Sequence, residues 1–187
     1  MTEAVRRGLP LTGPGVIFEA GCHAGDGTLS AMAALQGRPG STVVSIEGNA
    51  NWLRAASKIV GHAISGADIK HVPLAFGDKD DLDTLLDKLQ DAFSIASFDA
   101  VIFDHDERQF LPHLKLLLGR GFMHIGTTVY VDNVKRKASQ LRPYMDFVNE
   151  RSGRGFRTEV MQVSEPYPDA VAISTYVGHR ASTAPEL

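Results

Sequence analysis

Val16-Ile17-Phe18-Glu19-Ala20-Gly21-Cys22-His23-Ala24-Gly25-Asp26-Gly27 is the stretch that sets the fold. Three apolar residues make a short strand, an acid follows, and three glycines precede a helical pattern that runs from Thr28 to Leu35. Glycine lets the backbone turn tightly and approach a ligand, and the start of a helix offers N–H groups with no partner inside the helix. In an open α/β sheet, the first crossover is also where cofactors bind. An ordinary βα turn carries the same glycines, so on their own they leave both readings open.

Downstream, short apolar runs alternate with longer helical patterns, the rhythm of βαβ units and a parallel sheet. After the breaker Gly37-Arg38-Pro39-Gly40, Thr42 to Ile46 is the second strand, and Ala50 to Val60 carries Trp52, Leu53, Ala56, Ile59 and Val60 at helical spacing. Ile69 to Leu74 is the third strand. Asp80 to Phe93 sets Leu82, Leu85, Leu86 and Leu89 on one helical face, and Phe98 to Phe103 is the fourth strand. Leu111 to Leu118 is a further helix, and Thr127 to Val131 is a fifth strand apolar enough to be buried on both faces. Gln140 to Glu150 is a helix in which Pro143 belongs to the first turn or makes a kink. Past Arg151-Ser152-Gly153-Arg154-Gly155, Phe156 to Val163 and Val171 to Val177 read as two strands with no helix between them. That is the pattern of a terminal hairpin with one strand antiparallel in the sheet. The expectation is one α/β domain over residues 1–178 with a flexible tail over 179–187.

Composition bounds the function. The 187 residues, 43% hydrophobic and 22% charged, suit a globular domain that builds its core without staples. A lone cysteine, Cys22, excludes a disulfide scaffold and points to a reducing, cytoplasmic setting. A net charge of -3 supplies no broad cationic field for nucleic acid. The N-terminus, with Gly8, Pro10, Gly13 and Pro14, lacks the apolar core of a signal peptide, and no run reaches membrane-spanning length, so no membrane partner is expected.

Two acids add to the glycines. Glu19 ends the first strand, and Glu47 ends the second, twenty residues after Gly27, where a carboxylate can accept both hydroxyls of a ribose. The acid followed by Gly21, Gly25 and Gly27 differs from the dinucleotide pattern G-x-G-x-x-G and resembles motif I of the class I S-adenosylmethionine-dependent methyltransferases. The resemblance implies a Rossmann-like three-layer sandwich. It also implies an acid-x-Gly segment under the methionine part of the cofactor, and an adenine-binding turn at Ala75-Phe76-Gly77-Asp78.

Phe103-Asp104-His105-Asp106 ends the fourth strand and Val131-Asp132-Asn133 the fifth, so three oxygen donors emerge at one sheet edge. Two carboxylates and an amide suit Mg²⁺, whereas the same aspartates taken singly also suit helix caps.

From Val16 to Gly178 the chain is similar to catechol O-methyltransferase and its bacterial relatives. The similarity rests on Ile17-Phe18-Glu19-Ala20-Gly21, Ser45-Ile46-Glu47, Phe103-Asp104-His105 with Phe110-Leu111-Pro112, Gly126-Thr127, Asp132-Asn133-Val134 and Tyr176-Val177-Gly178. It implies that Asp104, Asp132 and Asn133 hold Mg²⁺, which chelates a small dihydroxyaromatic acceptor. Glu19, Gly21, His23, Gly25, Gly27, Glu47, Phe76, Gly77, Asp104 and His105 would form the S-adenosylmethionine site. Asn133 would also touch the acceptor, with Glu165 the match for the family glutamate on its second hydroxyl.

The chain also departs from that pattern. Glu107 stands where the family has a catalytic lysine, Asp106 stands where it has a tryptophan, and only fifteen residues precede the first strand. Glu107 reads either as a proton acceptor raised in pKa by Asp104 and Asp106 or as a solvated helix-start residue. Lys135-Arg136-Lys137 with Arg142 reads as a solvated face or as a greeting for an anionic acceptor. Trp52, Phe122 and Phe147 are expected in the core, Cys22 as a small buried side chain, and His62, His71, His113, His124 and His179 in structural roles. The expected reaction is methyl transfer to a metal-bound hydroxyl by a monomer or homodimer. Its rivals are a methyltransferase-like binding module without turnover and a nucleotide- or NAD-binding domain.

Overall fold

The computed structural model describes residues 1–64, 68–77, 80–149, 151, 153–164 and 168–178. Glu165, Asp78, His179 and the expected tail lie outside the described residues. The described strands are β1 (Val16–Ala20), β2 (Ser41–Glu47), β3 (Ile69–Ala75), β4 (Phe98–Phe103), β5 (Met123–Val131), β6 (Phe156–Val163) and β7 (Asp169–Tyr176). They form one sheet in the order β3-β2-β1-β4-β5-β7-β6. The first five are parallel, and β7 runs antiparallel to both β5 and β6. The helices are α1 (Thr2–Arg6), α2 (Asp26–Ala34), α3 (Ala50–Ala63), α4 (Leu82–Phe93), α5 (Phe110–Gly119) and α6 (Ala138–Val148), with a 3-10 turn at Glu107–Gln109. No described helix is long and apolar enough to cross a membrane.

The strict alternation of side chains along a strand splits the core in two. Phe18, Val44, Val101 and Phe103 point to one face, where Leu86, Leu89, Leu114 and Tyr144 from α4, α5 and α6 cover them. Ile17, Val43 and Ile102 point to the other, covered by Val5, Ala31 and Val60 from α1, α2 and α3. Helices on both faces of a mostly parallel sheet are the Rossmann-like three-layer arrangement expected above.

Several boundaries differ from the sequence expectation for identifiable reasons. The helix α4 starts at Leu82 because Asp81 caps it, accepting from the N–H groups of Asp83 and Thr84. The helix α6 starts two residues early, at Ala138, so Pro143 stands in its second turn and not its first. The strand β5 begins at Met123, ahead of Thr127, across a register shift against β4. The Thr127 hydroxyl spans that shift, donating to the Phe98 carbonyl at 2.8 Å and accepting the His124 N–H at 3.0 Å. The short helix α1 was not expected; it is held by burial of Ala4 and Val5.

Candidate active site

The strand after β1 in the chain, β2, lies on one side of it, and β4 lies on the other. The strand order therefore reverses beside β1, and such a switch point opens a crevice at the carboxyl ends of the strands. A cavity of about 570 Å³ is found there, with Gly21, His23, Glu47, Phe76, Gly77, Asp104 and His105 in its wall. These residues, drawn from four separate segments, are ones the sequence grouped together.

The glycine loop is fastened at both ends. The N–H groups of Gly21 and Cys22 donate to the Ile46 carbonyl at the end of β2, at 2.9 and 3.3 Å. Gly21 has φ of 89°, and a Cβ there would collide with the Asp104 carbonyl, so only glycine lets the loop lie against the end of β4. Glu47 accepts the His23 N–H at 2.9 Å on one oxygen and the Asn49 N–H at 2.8 Å on the other. A carboxylate held this way keeps a second lone pair on each oxygen for a ligand.

Glu19, Gly25 and Gly27 stand behind this wall and not in it. Glu19 is fully buried and accepts the hydroxyls of Thr28 at 2.5 Å and Ser45 at 2.8 Å on the same oxygen. Its other oxygen has no hydrogen-bond partner among the described residues and lies where a side chain on Gly27 would have to go. Burial pushes the Glu19 pKa up to about 7, against the two hydroxyl donors. Gly25 packs on Ala56 and Val60 of α3.

Ile46, Gly48, Asp80, Asp106, Gln109 and His113 also line the cavity and were not singled out as ligand contacts. Asp80 shapes the turn after β3 by accepting the Gly77 N–H at 2.6 Å. His105 Nε2 pairs with His113 Nδ1 at 2.9 Å, with the rings 10° from parallel. Burial pushes His105 down to about 3 and lowers His113 as well, so the pair is neutral at ordinary pH. Its only signal in the sequence is that the first turn of α5 lies a few residues past the end of β4.

Trp52 is 41% exposed and lies against the His23 ring at 3.9 Å, which corrects its expected place in the core. Trp52 stands in the first turn of α3, with its N–H taken by the Asn49 cap, and the first residues of that helix are exposed. Phe122 is fully buried as expected, and Phe147 packs at the edge of the core beneath the Lys115 cation. Cys22 is buried, and burial pushes its thiol up to about 12.

Asp104 and Asp132 follow Phe103 and Val131, which are partners in the β4–β5 ladder. Their side chains thus leave neighbouring strand ends. Desolvation in the cleft pushes Asp104 up to about 6, and the negative charge of Asp132 adds to the shift. Asp106, and not Asp104, caps the 3-10 turn by accepting the Arg108 N–H at 3.1 Å, and the Arg108 guanidinium pairs with it. Asn133 has φ of 58°, in the left-handed region that a non-glycine residue rarely adopts. Among the described residues no cluster of three or more His, Cys, Asp or Glu side chains could hold a metal. A cation here would depend on two carboxylates, the Asn133 amide and water, a hard-oxygen set that fits Mg²⁺. Glu107 pairs with Lys137 at 3.2 Å.

No family model matches the chain. It is 32% identical over 183 residues to the Mycobacterium tuberculosis protein named "Probable O-methyltransferase", covering 95% of this chain and 73% of that protein. It is 28% identical over 145 residues to catechol O-methyltransferase B of Danio rerio, covering 78% of this chain and half of the zebrafish protein's length. In fold it resembles the O-methyltransferase TomG of Streptomyces achromogenes, solved in complex with S-adenosylmethionine, at a TM-score of 0.69 and 19% identity over 94% of this chain and 76% of that one. It equally resembles an O-methyltransferase of Bacillus cereus in complex with S-adenosylhomocysteine, at 0.69 and 18% over 94% and 78%. The chain belongs to the class I S-adenosylmethionine-dependent O-methyltransferases.

Proposed function

We propose that this O-methyltransferase acts on a hydroxyl of a small catechol-like acceptor, seated at the Asp104–Asp132 edge with a divalent cation. The observation that carries this reading is the in-register exit of the two aspartates from β4 and β5, with Asp104 also in the cofactor cavity wall. Glu47 is the residue for the ribose hydroxyls, the backbone of Gly21 and His23 for the methionine part, and Phe76, Gly77 and His105 for the adenine. Glu19, Gly25 and Gly27 support that wall from behind. When bound, Mg²⁺ supplies chelation of acceptor oxygens and lowers the pKa of a coordinated hydroxyl. Asp104, Asp132 and Asn133 would hold it, and the cleft aligns acceptor and sulfonium methyl for in-line transfer.

The 28% identity to a catechol O-methyltransferase supports the acceptor class. Glu107 at the lysine position favours a second reading, a module that binds S-adenosylmethionine without turnover. Calorimetric titration with S-adenosylhomocysteine, with and without Mg²⁺, beside turnover of a catechol panel, separates the two. Tight cofactor binding with no turnover of any catechol would select the second.

A further inference from the structure

Glu107 lies in the 3-10 turn that follows Asp104, and Lys137 lies at the N-terminal edge of α6, beyond Asn133. Thirty residues apart in sequence, they are joined across the β4–β5 edge, Lys137 Nζ to Glu107 Oε1 at 3.2 Å. The Glu107 side chain is largely covered at 18% exposure, whereas Lys137 is 42% exposed, so the open partner is the ammonium. An ammonium has three donors, and the pairing with Glu107 leaves others free to turn outward.

The segment that carries Lys137 is fixed. Its own N–H donates to the Asn133 carbonyl at 2.8 Å, and its carbonyl accepts the Leu141 N–H at 2.9 Å. The N–H groups of Lys135 and Arg136 donate to Asp169 at 3.0 and 3.3 Å, which ties the turn to the start of β7. Arg108, the cation of the 3-10 turn itself, is taken up by Asp106. A charge held in place costs little reorganisation when a ligand arrives, which is the condition for strong electrostatic stabilisation.

We propose that Lys137, positioned by Glu107, is a fixed cation on the acceptor side of the cleft and selects acceptors that present an anionic oxygen. This rests on the acceptor reading above. The negative charges of Asp104 and Asp132 offset that of a divalent cation held between them, and a phenol with pKa near 10 is mostly protonated at neutral pH, so a further fixed positive charge favours the ionised acceptor. In the reaction the acceptor O–H gives its proton to water, the O–C bond forms as the S–C bond breaks, and the products are the methyl ether and S-adenosylhomocysteine. Lys137 keeps its own proton throughout. Glu107, engaged by that ammonium, is a positioning residue and not the proton acceptor.

The test uses a nitro-substituted catechol, whose phenolate absorbs visible light, added to the protein with S-adenosylhomocysteine and Mg²⁺. With Lys137→Met the bound phenolate band should fall at least threefold at the same pH, and Lys137→Arg should retain it. Glu107→Gln should weaken the band less than Lys137→Met. In turnover, Lys137→Met should raise KM for the ionised nitro-catechol more than it lowers kcat. Affinity for S-adenosylhomocysteine should stay the same in all three variants, which also reports that they fold. An unchanged phenolate band in Lys137→Met overturns the role of Lys137 alone. A parent protein that binds S-adenosylhomocysteine but no catechol overturns the acceptor reading as well.

Discussion

The carboxylate of Glu47 accepts the backbone N–H of His23 at 2.9 Å, so the acid that ends β2 and the glycine loop that ends β1 form one rigid piece of cavity wall. Its other oxygen restrains Asn49, the residue that caps α3. Glu47→Ala should therefore act twice, removing the proposed ribose partner and leaving two N–H groups to water. The expected loss of S-adenosylhomocysteine affinity is about 1.5–3 kcal/mol, the range for hydrogen bonds to a charged group. Calorimetric titration reads it directly, and unchanged affinity would remove Glu47 from the site.

Glu19 makes stability depend on pH. Its folded pKa of about 7 lies above the ordinary value of 4.5 because of burial. The folded state then holds a proton that the unfolded state has released, so the stability this group contributes is complete below about pH 4.5 and lost as pH rises through about 7. The difference amounts to roughly 3 kcal/mol at most. Glu19→Gln keeps an oxygen for Thr28 and Ser45 but carries no charge. Its stability relative to the parent should rise between pH 5 and pH 8 in denaturant unfolding. His105, shifted down by burial, acts in the opposite sense over lower pH, and its contribution cancels in the comparison. Parallel pH dependences for the two proteins would show that Glu19 is ionised without cost.

Much of the fold and of the cavity wall is written in local sequence, because buried parallel strands need short apolar runs and their crossovers need turns. Phe98 to Phe103 is recognisable for that reason, and so is the wall from Gly21, Glu47 and Asp104, which all sit at strand ends. The rest is tertiary. The helix α1 has only five residues and owes its shape to the burial of Ala4 and Val5. His113 has no ligand spacing, and its pairing with His105 arises only after the 3-10 turn folds α5 back beside β4. The Glu107–Lys137 pair needs β4 and β5 to be neighbours before either residue has a partner.

Gly21 links the loop to the end of β4 through sterics. A side chain there meets the Asp104 carbonyl and must adopt φ of 89°, which L-residues rarely do. Gly21→Ala should lower the melting temperature and weaken S-adenosylhomocysteine binding together, since the loop and the end of β4 have to separate. Thermal unfolding with and without the ligand measures both. A variant with parent-like melting and affinity would mean that the loop can withdraw from Asp104 freely.

Asp132 gives the sharpest separation between cofactor binding and chemistry. It leaves β5 beside Asp104, yet of the two only Asp104 lines the cavity proposed for the cofactor. Asp132→Ala should therefore spare affinity for S-adenosylhomocysteine while reducing turnover of a catechol by well over tenfold. Two effects then combine at the reacting edge: a lost hard-oxygen donor for the proposed cation, and a missing negative charge beside Asp104. Since Asp132 helps hold the Asp104 pKa near 6, its removal should also let Asp104 ionise at lower pH. A chelator should reproduce the turnover loss in the parent, with added Mg²⁺ restoring the parent but not the variant. Turnover of catechol by the parent and the variant, with and without chelator and beside a cofactor titration, distinguishes the outcomes. Full activity of the parent in rigorously metal-free buffer would leave Asp104 and Asp132 as direct contacts to the acceptor and remove the divalent cation from this edge.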